Sequence, residues 1–214
     1  MFAKTQTRFI LLFTAVVAVV AAGSYLWQES ETAKTRLLLL DKKSEKQTQT
    51  SELVTLRGDV LKTLAFDYTY WDEMVTFVTN PDSAWGVDNI DACLSTYQAH
   101  VAIVYATDGR RIYGATSDAH AYIGSDSTLD KVLRVAFNKQ DFCYLFHPID
   151  SGLLEIRTAP IQPTADKERV TEPRGYFAVG RVWDSSFLAD IGEIADVTAE
   201  LRNVDFYDVN HAPA

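Results

Sequence analysis

Between Phe9 and Trp27 the chain reads FILLFTAVVAVVAAGSYLW, a stretch without a single charged side chain. About 19 helical residues at roughly 1.5 Å rise each approach the ~30 Å of a bilayer core, so the segment is long enough to span. Lys4 and Arg8 lie just before it, while Gln28, Glu29 and Glu31 come after it. Basic residues collect on the cytoplasmic side of a span, so residues 1–8 are expected inside the cell and the rest of the chain outside. Tyr25 and Trp27 suit the outer interface. The apolar part as far as Ala22, ending in Ala21, Ala22 and Gly23, also has the form of a cleaved signal peptide. Spanning length and interfacial aromatics favour an anchor over 9–27, and either form exports the remainder of the chain.

Of the 214 residues, 47% are hydrophobic and 12% aromatic, enough for one folded domain beyond an anchor. A net charge of -9 excludes nucleic acid as a partner, because phosphate binding needs a basic face. From Glu29 to about Thr63 there is no proline and one glycine, Gly58, which predicts a long juxtamembrane helix over 28–60. Leu53, Leu56, Val60, Leu61 and Leu64 keep helical spacing into the domain. The run Leu37–Leu40 covers every side of a helix, which suits a partner helix, including that of a second copy, or burial against the domain.

Residues 66–78 read FDYTYWDEMVTFV. On one continuous helix, Phe66, Tyr70, Trp71, Met74, Val75, Phe77 and Val78 share an apolar arc with Asp67 at its middle. Asp72 and Glu73 fall on the solvated side with Thr69 and Thr76. Asp67 is therefore expected to be buried, either as a clasp holding the helix to a loop near Trp85 and Asn89 or as the wall of a ligand pocket.

Asn80-Pro81-Asp82 ends this helix. HVAIVY and RRIYGA flank the turn ATDG, and Asp108-Gly109 between strand-like runs predicts a hairpin. Ser127–Asn138 predicts an amphipathic helix capped by Asp126 or Ser127. Strands are expected over 142–147, 153–161 and 175–182, a helix capped by Asp184, and a last strand over 199–209. The result is an α+β fold, a PAS-like or Cache-like antiparallel sheet with a long N-terminal helix, preceded by one transmembrane helix. The domain is drawn over 61–209, with a tail at 210–214.

Catalytic chemistry finds little support. His100, His120, His147 and His211 are scattered without metal-ligand spacing, and no G-x-S-x-G or glycine-rich phosphate cradle occurs. Asp67 and Asp72 point to different sides of a helix and make a poor catalytic pair. The chain is read as a binding protein, without a metal or cofactor. Trp71, Trp85, Tyr97, Tyr105 and Tyr113 are candidates to line a cavity beside Asp67, with Arg157 able to hold an anionic group. The same aromatics can instead fill the core, and Arg157 can form a plain ion pair. Outside the cytoplasm Cys93 and Cys143 are either bridged or two buried thiols.

DYTYWDEM (67–74), Trp85 and Asn89, YATDGRRIYG (105–114), RTAPI (157–161) and GYFAVGRVWD (175–184) together resemble the CHASE domain of type four, over about residues 60–205. The resemblance implies a PAS-like sensor exposed outside a bacterial cytoplasmic membrane. It also implies a small extracytoplasmic ligand and a second membrane helix leading to a cyclase, phosphodiesterase or histidine kinase. After residue 209 the sequence reads NHAPA, without a second apolar span, so a receptor fragment or truncated receptor is expected. A periplasmic protein-interaction module is the alternative, and a secreted hydrolase the third.

Overall fold

The structure is a computed structural model that describes residues 2–138 and 142–201, with side chains except at 2–16, 26, 30, 32 and 33. Two compact units divide the chain, Met1–Thr50 and the unit beginning at Ser51. The first unit belongs to helix α1 (Phe2–Thr69). Its apolar side chains stand uncovered, among them Val19, Tyr25 and Trp27, and Leu37–Leu40 are 57–68% exposed. Among the described residues no helix is long and apolar enough to cross a membrane. The first half of the predicted span, residues 9–16, has its side chains outside them.

In the second unit α1 buries Leu61, Leu64, Ala65 and Thr69, spaced three and four apart as one helical stripe requires. It stops at Thr69. Trp71 is extended, at φ -129° and ψ 123°, and α2 (Asp72–Thr79) starts anew. The expected single helix through 66–78 is thus two helices meeting at a corner. This corrects the placement of Asp67: it is exposed, and the buried polar residue is Thr69, whose hydroxyl donates to the carbonyl of Ala65 at 2.7 Å. The apolar arc drawn through the segment had merged two helical phases.

The corner leaves helix-end carbonyls without intrahelical partners, and the loop after residue 161 supplies them. Gln162 N donates to Thr69 O at 3.1 Å, and the Thr164 hydroxyl donates to Tyr70 O at 3.2 Å. Thr164 N donates to Asp72 Oδ1 at 2.8 Å. The carboxylate that clasps helix to loop is therefore Asp72, expected to be merely solvated.

Three short pieces come after Pro81: α3 (Ser83–Gly86), a π-helical turn (Val87–Asp91) and α4 (Ala92–Thr96). Strand β1 (Val101–Ala106) turns into β2 (Arg111–Thr116) through the expected hairpin. Gly109 takes φ +78°, which a side chain would resist, and Asp108 Oδ1 accepts from Arg110 N at 2.8 Å. A 3-10 segment (Asp118–Ser125) leads to α5 (Ser127–Phe137), and strands β3 (Cys143–Ile149), β4 (Gly152–Ile161) and β5 (Gly175–Trp183) precede α6 (Ser185–Ala195). Asp126 and Asp184 cap α5 and α6 through N–H groups of the first turn, as their positions predict. Residues 199–201 form no strand; the rest of the strand expected there, and the tail, lie outside the described residues.

The five strands form one antiparallel sheet in the order β2-β1-β5-β4-β3. Alternation along the central strands gives each face its own core. Ala102, Val104, Ala159, Phe177 and Val179 pack in one cluster with Leu61, Leu64 and Met74 of α1 and α2. On the other face Ile103, Tyr105, Ile156, Ala178 and Val182 pack with Ile123 of the 3-10 segment and with Leu129 and Leu133 of α5. Cys93 and Cys143 are separate buried thiols. Cys93 lies in the α1-side core, where burial and then Asp91 push its thiol up to about 12; Cys143, on β3, donates to Ala136 O at 3.6 Å.

Candidate sensory site and helix seat

Four of the aromatic candidates meet on the α1 face. Trp71 and Trp85 are 5.2 Å apart between centroids, Phe77 lies 4.8 Å from Trp85 and 5.6 Å from Tyr113, and Tyr68 links Trp71, Tyr97 and Phe177. Polar ends are tied off. Tyr113 donates to Asp91 Oδ1 at 2.7 Å, Tyr68 to Asn89 O at 3.1 Å, and the Asn89 amide to Trp85 O at 2.9 Å. Asn89 thereby fixes the π-helical turn under the rings. A Cβ on Gly86 would stand 2.6 Å from the Tyr113 ring, so the helical pieces press directly on this wall. Burial, the bond to Asp91 and the charge of Asp91 push the Tyr113 phenol up to about 12. The rings fill their own space, and the opening they leave is a surface cleft of about 240 Å³ lined by Glu73, Thr76, Phe77, Asn80, Asp82 and Trp85.

The other candidates stand elsewhere. Tyr105 faces the opposite side of the sheet, where its hydroxyl donates to Asp130 Oδ1 at 2.5 Å and Arg111 Nη2 reaches the same oxygen at 2.6 Å. Burial and the Asp130 bond raise its phenol well above the ordinary range. Asp67, exposed, belongs to neither group. Arg157 lies under α1, with its guanidinium carbon 3.4 Å from the Tyr144 ring centroid.

Around Arg157 is a polar cluster that the sequence reading missed. Glu155, 1% exposed, accepts from Trp183 Nε1 at 2.9 Å and pairs with Arg157 Nη2 at 3.4 Å. Arg181, 2% exposed, donates to three backbone carbonyls: Tyr97 at 3.1 Å, Gln98 at 3.0 Å and Arg57 at 2.9 Å. One donor of Arg181 thus grips α1 itself, and Gly58 on the next position lets the helix lie against Arg157 and Glu155. Buried charges persist when their polar groups are matched: Glu155 is paired and hydrogen-bonded, and Arg181 is held by its three carbonyls. Alternation offered one signal: Glu155, Arg157 and Arg181 break otherwise apolar strands on the face that α1 covers.

A second missed residue is Arg169. It occupies φ +53°, donates to Thr69 Oγ1 at 3.2 Å and to Pro160 O, and lies over the rings of Phe66, Tyr70 and Phe142 at 5.6, 5.3 and 5.2 Å. Nothing in the polar loop QPTADKERVTEP distinguishes it from its neighbours. Among the described residues no group of three His, Cys, Asp or Glu side chains is arranged to hold a metal.

A five-stranded antiparallel sheet thus carries the end of a long N-terminal helix on one face, with an aromatic wall beside it. The chain belongs to the CHASE4 domain family, whose model matches residues 54–202. Two solved structures of the Vibrio cholerae LuxQ periplasmic domain are similar to it at 13% identity. One aligns over 70% of this chain and 70% of its own with a TM-score of 0.39; the other, a selenomethionine form, over 77% and 82% with 0.42. None of the curated proteins matches the sequence.

Proposed function

We propose that the chain is a membrane-anchored extracytoplasmic sensor that binds a small ligand and passes the event through α1 to a cytoplasmic output module. Residues 9–27 are its anchor, with residues 1–8 inside a bacterial cytoplasmic membrane and the sensor in the periplasm. The observation that carries this reading is the seat of α1: Arg57 O is held by Arg181, Gly58 lies on Arg157 and Glu155, and Leu61, Leu64 and Ala65 are core residues. Any ligand that repacks this face changes how the helix is held. It can bias two helix positions only by its difference in affinity for them. The ligand enters at the cleft between Glu73, Asp82 and Trp85, where the aromatic wall of Trp71, Tyr97 and Tyr113 begins. The uncovered leucines 37–40 are the surface through which two copies pair.

Expression of the full chain, then carbonate washing and labelling of cysteines introduced at positions 3 and 45, tests the anchor. Retention in the membrane with only position 45 labelled from outside is expected. Release of a chain starting near residue 23 would replace the anchor with a signal peptide. A thermal-shift screen of the detergent-purified chain against metabolites tests the ligand. Binding of a periplasmic protein without any small-molecule shift would make this an interaction module instead.

A further inference from the structure

His100 and His120 stack face to face, their ring centroids 4.3 Å apart and their planes within 9°. His100 stands just before β1, and His120 marks a kink inside the 3-10 segment, at φ -124°. Val182 N donates to His100 Nδ1 at 2.9 Å, so that nitrogen is an acceptor and carries no proton. On His120, Nδ1 pairs with the Ser117 hydroxyl at 2.9 Å, and Nε2 lies 3.8 Å from Asp184 Oδ2. The pair is shielded, the His120 side chain being only 12% exposed.

From this geometry we infer that the sensor domain has a second input, the proton, read by the His100–His120 stack. A proton on His100 Nδ1 displaces the Val182 N–H bond, and a charge on both rings sets two cations face to face. The surroundings favour one charge and oppose two. Asp184, from the cap of α6, attracts a proton; Arg181, from β5, repels it; Asp118, on the segment itself, is exposed; and Tyr122 stands 6.2 Å from His120. Burial, then His120 and Arg181 against the pull of Asp184, lower His100 from 6.5 to about 4. Acidification is therefore relieved by parting the rings. The movable partner is the Asp118–Ser125 segment, whose Ile123 plugs the core on the α5 face. Proton uptake opens that face, opposite the seat of α1, and acts independently of any small ligand.

Hydrogen exchange of the full chain in nanodiscs between pH 7.5 and 4.5, corrected for intrinsic rates, tests this. Protection over residues 118–125 is expected to fall by up to about tenfold per pH unit, one proton being taken up on opening. Peptides from β4 are expected to hold. His100→Gln, whose amide oxygen can accept from Val182 N–H, removes the ring that takes up the proton, and is expected to abolish the pH dependence at 118–125 while preserving neutral-pH protection. If that variant does not fold, His100→Asn, with the same amide acceptor, is read the same way. A pH-dependent loss that persists in the folded variant, or no loss in the parent chain, overturns the inference.

Discussion

Gly58 of α1 and Arg157 of β4 approach so closely that a Cβ at position 58 would stand 2.7 Å from the arginine Nη2. The same Cβ would be 3.0 Å from Glu155 Oε1. The helix reaches the buried charges only because this position has no side chain.

Gly58→Leu is therefore expected to cost about 1–3 kcal/mol through overpacking, read by urea unfolding. Gly58→Ala is expected to stay within about 1 kcal/mol of the parent, since the gain in helix propensity offsets a small displacement of the arginine tip. A leucine variant as stable as the parent would show that α1 is not seated there.

Glu155 is the carboxylate that pairs with Arg157 and acts on Arg181, so its removal leaves these cations exposed to one another. Glu155→Ala is expected to lose about 3–5 kcal/mol, the range for breaking a buried pair from one side. Adding Arg157→Met to that variant is expected to recover part of the loss. Additive losses in the double variant would mean the two residues are not coupled.

The two aspartates of the opening motif are expected to behave in opposite ways. Asp67→Asn, at an exposed position, should change stability by less than about 0.5 kcal/mol. Asp72→Ala removes the acceptor for Thr164 N and should cost about 0.5–1.5 kcal/mol, with faster proteolytic nicking in the 162–173 loop. The reverse order would restore Asp67 as the clasp.

Acid sensitivity is expected from Asp126. Partial burial works to raise its pKa, but the Thr128 hydroxyl and N–H, His147 and the Leu129 N–H outweigh it and hold the carboxyl down at about 2. A carboxylate depressed in the folded state stabilises above its unfolded value of 3.8, and that stability is lost as pH falls toward 2. Asp126→Asn should therefore lower the melting temperature at pH 6 and flatten its fall between pH 4 and 2. An unchanged acid limb would assign the fall to another group.

Arg169→Ala should loosen the α1–α2 corner, because it removes the cation held over Phe66, Tyr70 and Phe142 together with the bond to Thr69. Faster amide exchange at Gln162 and Thr164 would register it. Unchanged exchange would leave the corner to Gln162 and Asp72.

Features set by neighbours in sequence were legible. Asp108-Gly109 made its hairpin, and Asp126 and Asp184 capped their helices, because each acts on backbone one to three residues away. The corner at Tyr70-Trp71 was hidden. Neither residue breaks a helix by itself; the stop depends on Gln162 and Thr164, about ninety positions on. The break rotated every residue after it, so Met74 and Phe77 of α2 no longer share one arc with α1, and Asp67 falls on the exposed side of α1. The aromatic wall was half legible, since Trp71, Trp85, Tyr97 and Tyr113 do converge, whereas Tyr105 was placed on the far face by strand alternation. Glu155 and Arg181 show in the sequence only as charges interrupting apolar strands; what they pair with, and the histidine stack, depend on contacts between distant segments.

The strand order has a further consequence for how the chain comes into being. β1 pairs with β2 and β3 with β4 through short turns, but the two halves are joined only by β5, seventy-odd residues after β1. Hairpins closed by short loops form early, while distant pairings are slow. Until Gly175–Trp183 has emerged, neither hairpin has a central neighbour and their edges stay unsatisfied. Among the described residues the last strand made is thus the seam of the sheet, and until it is in place the half-made domain depends on whatever keeps those open edges from pairing with other chains.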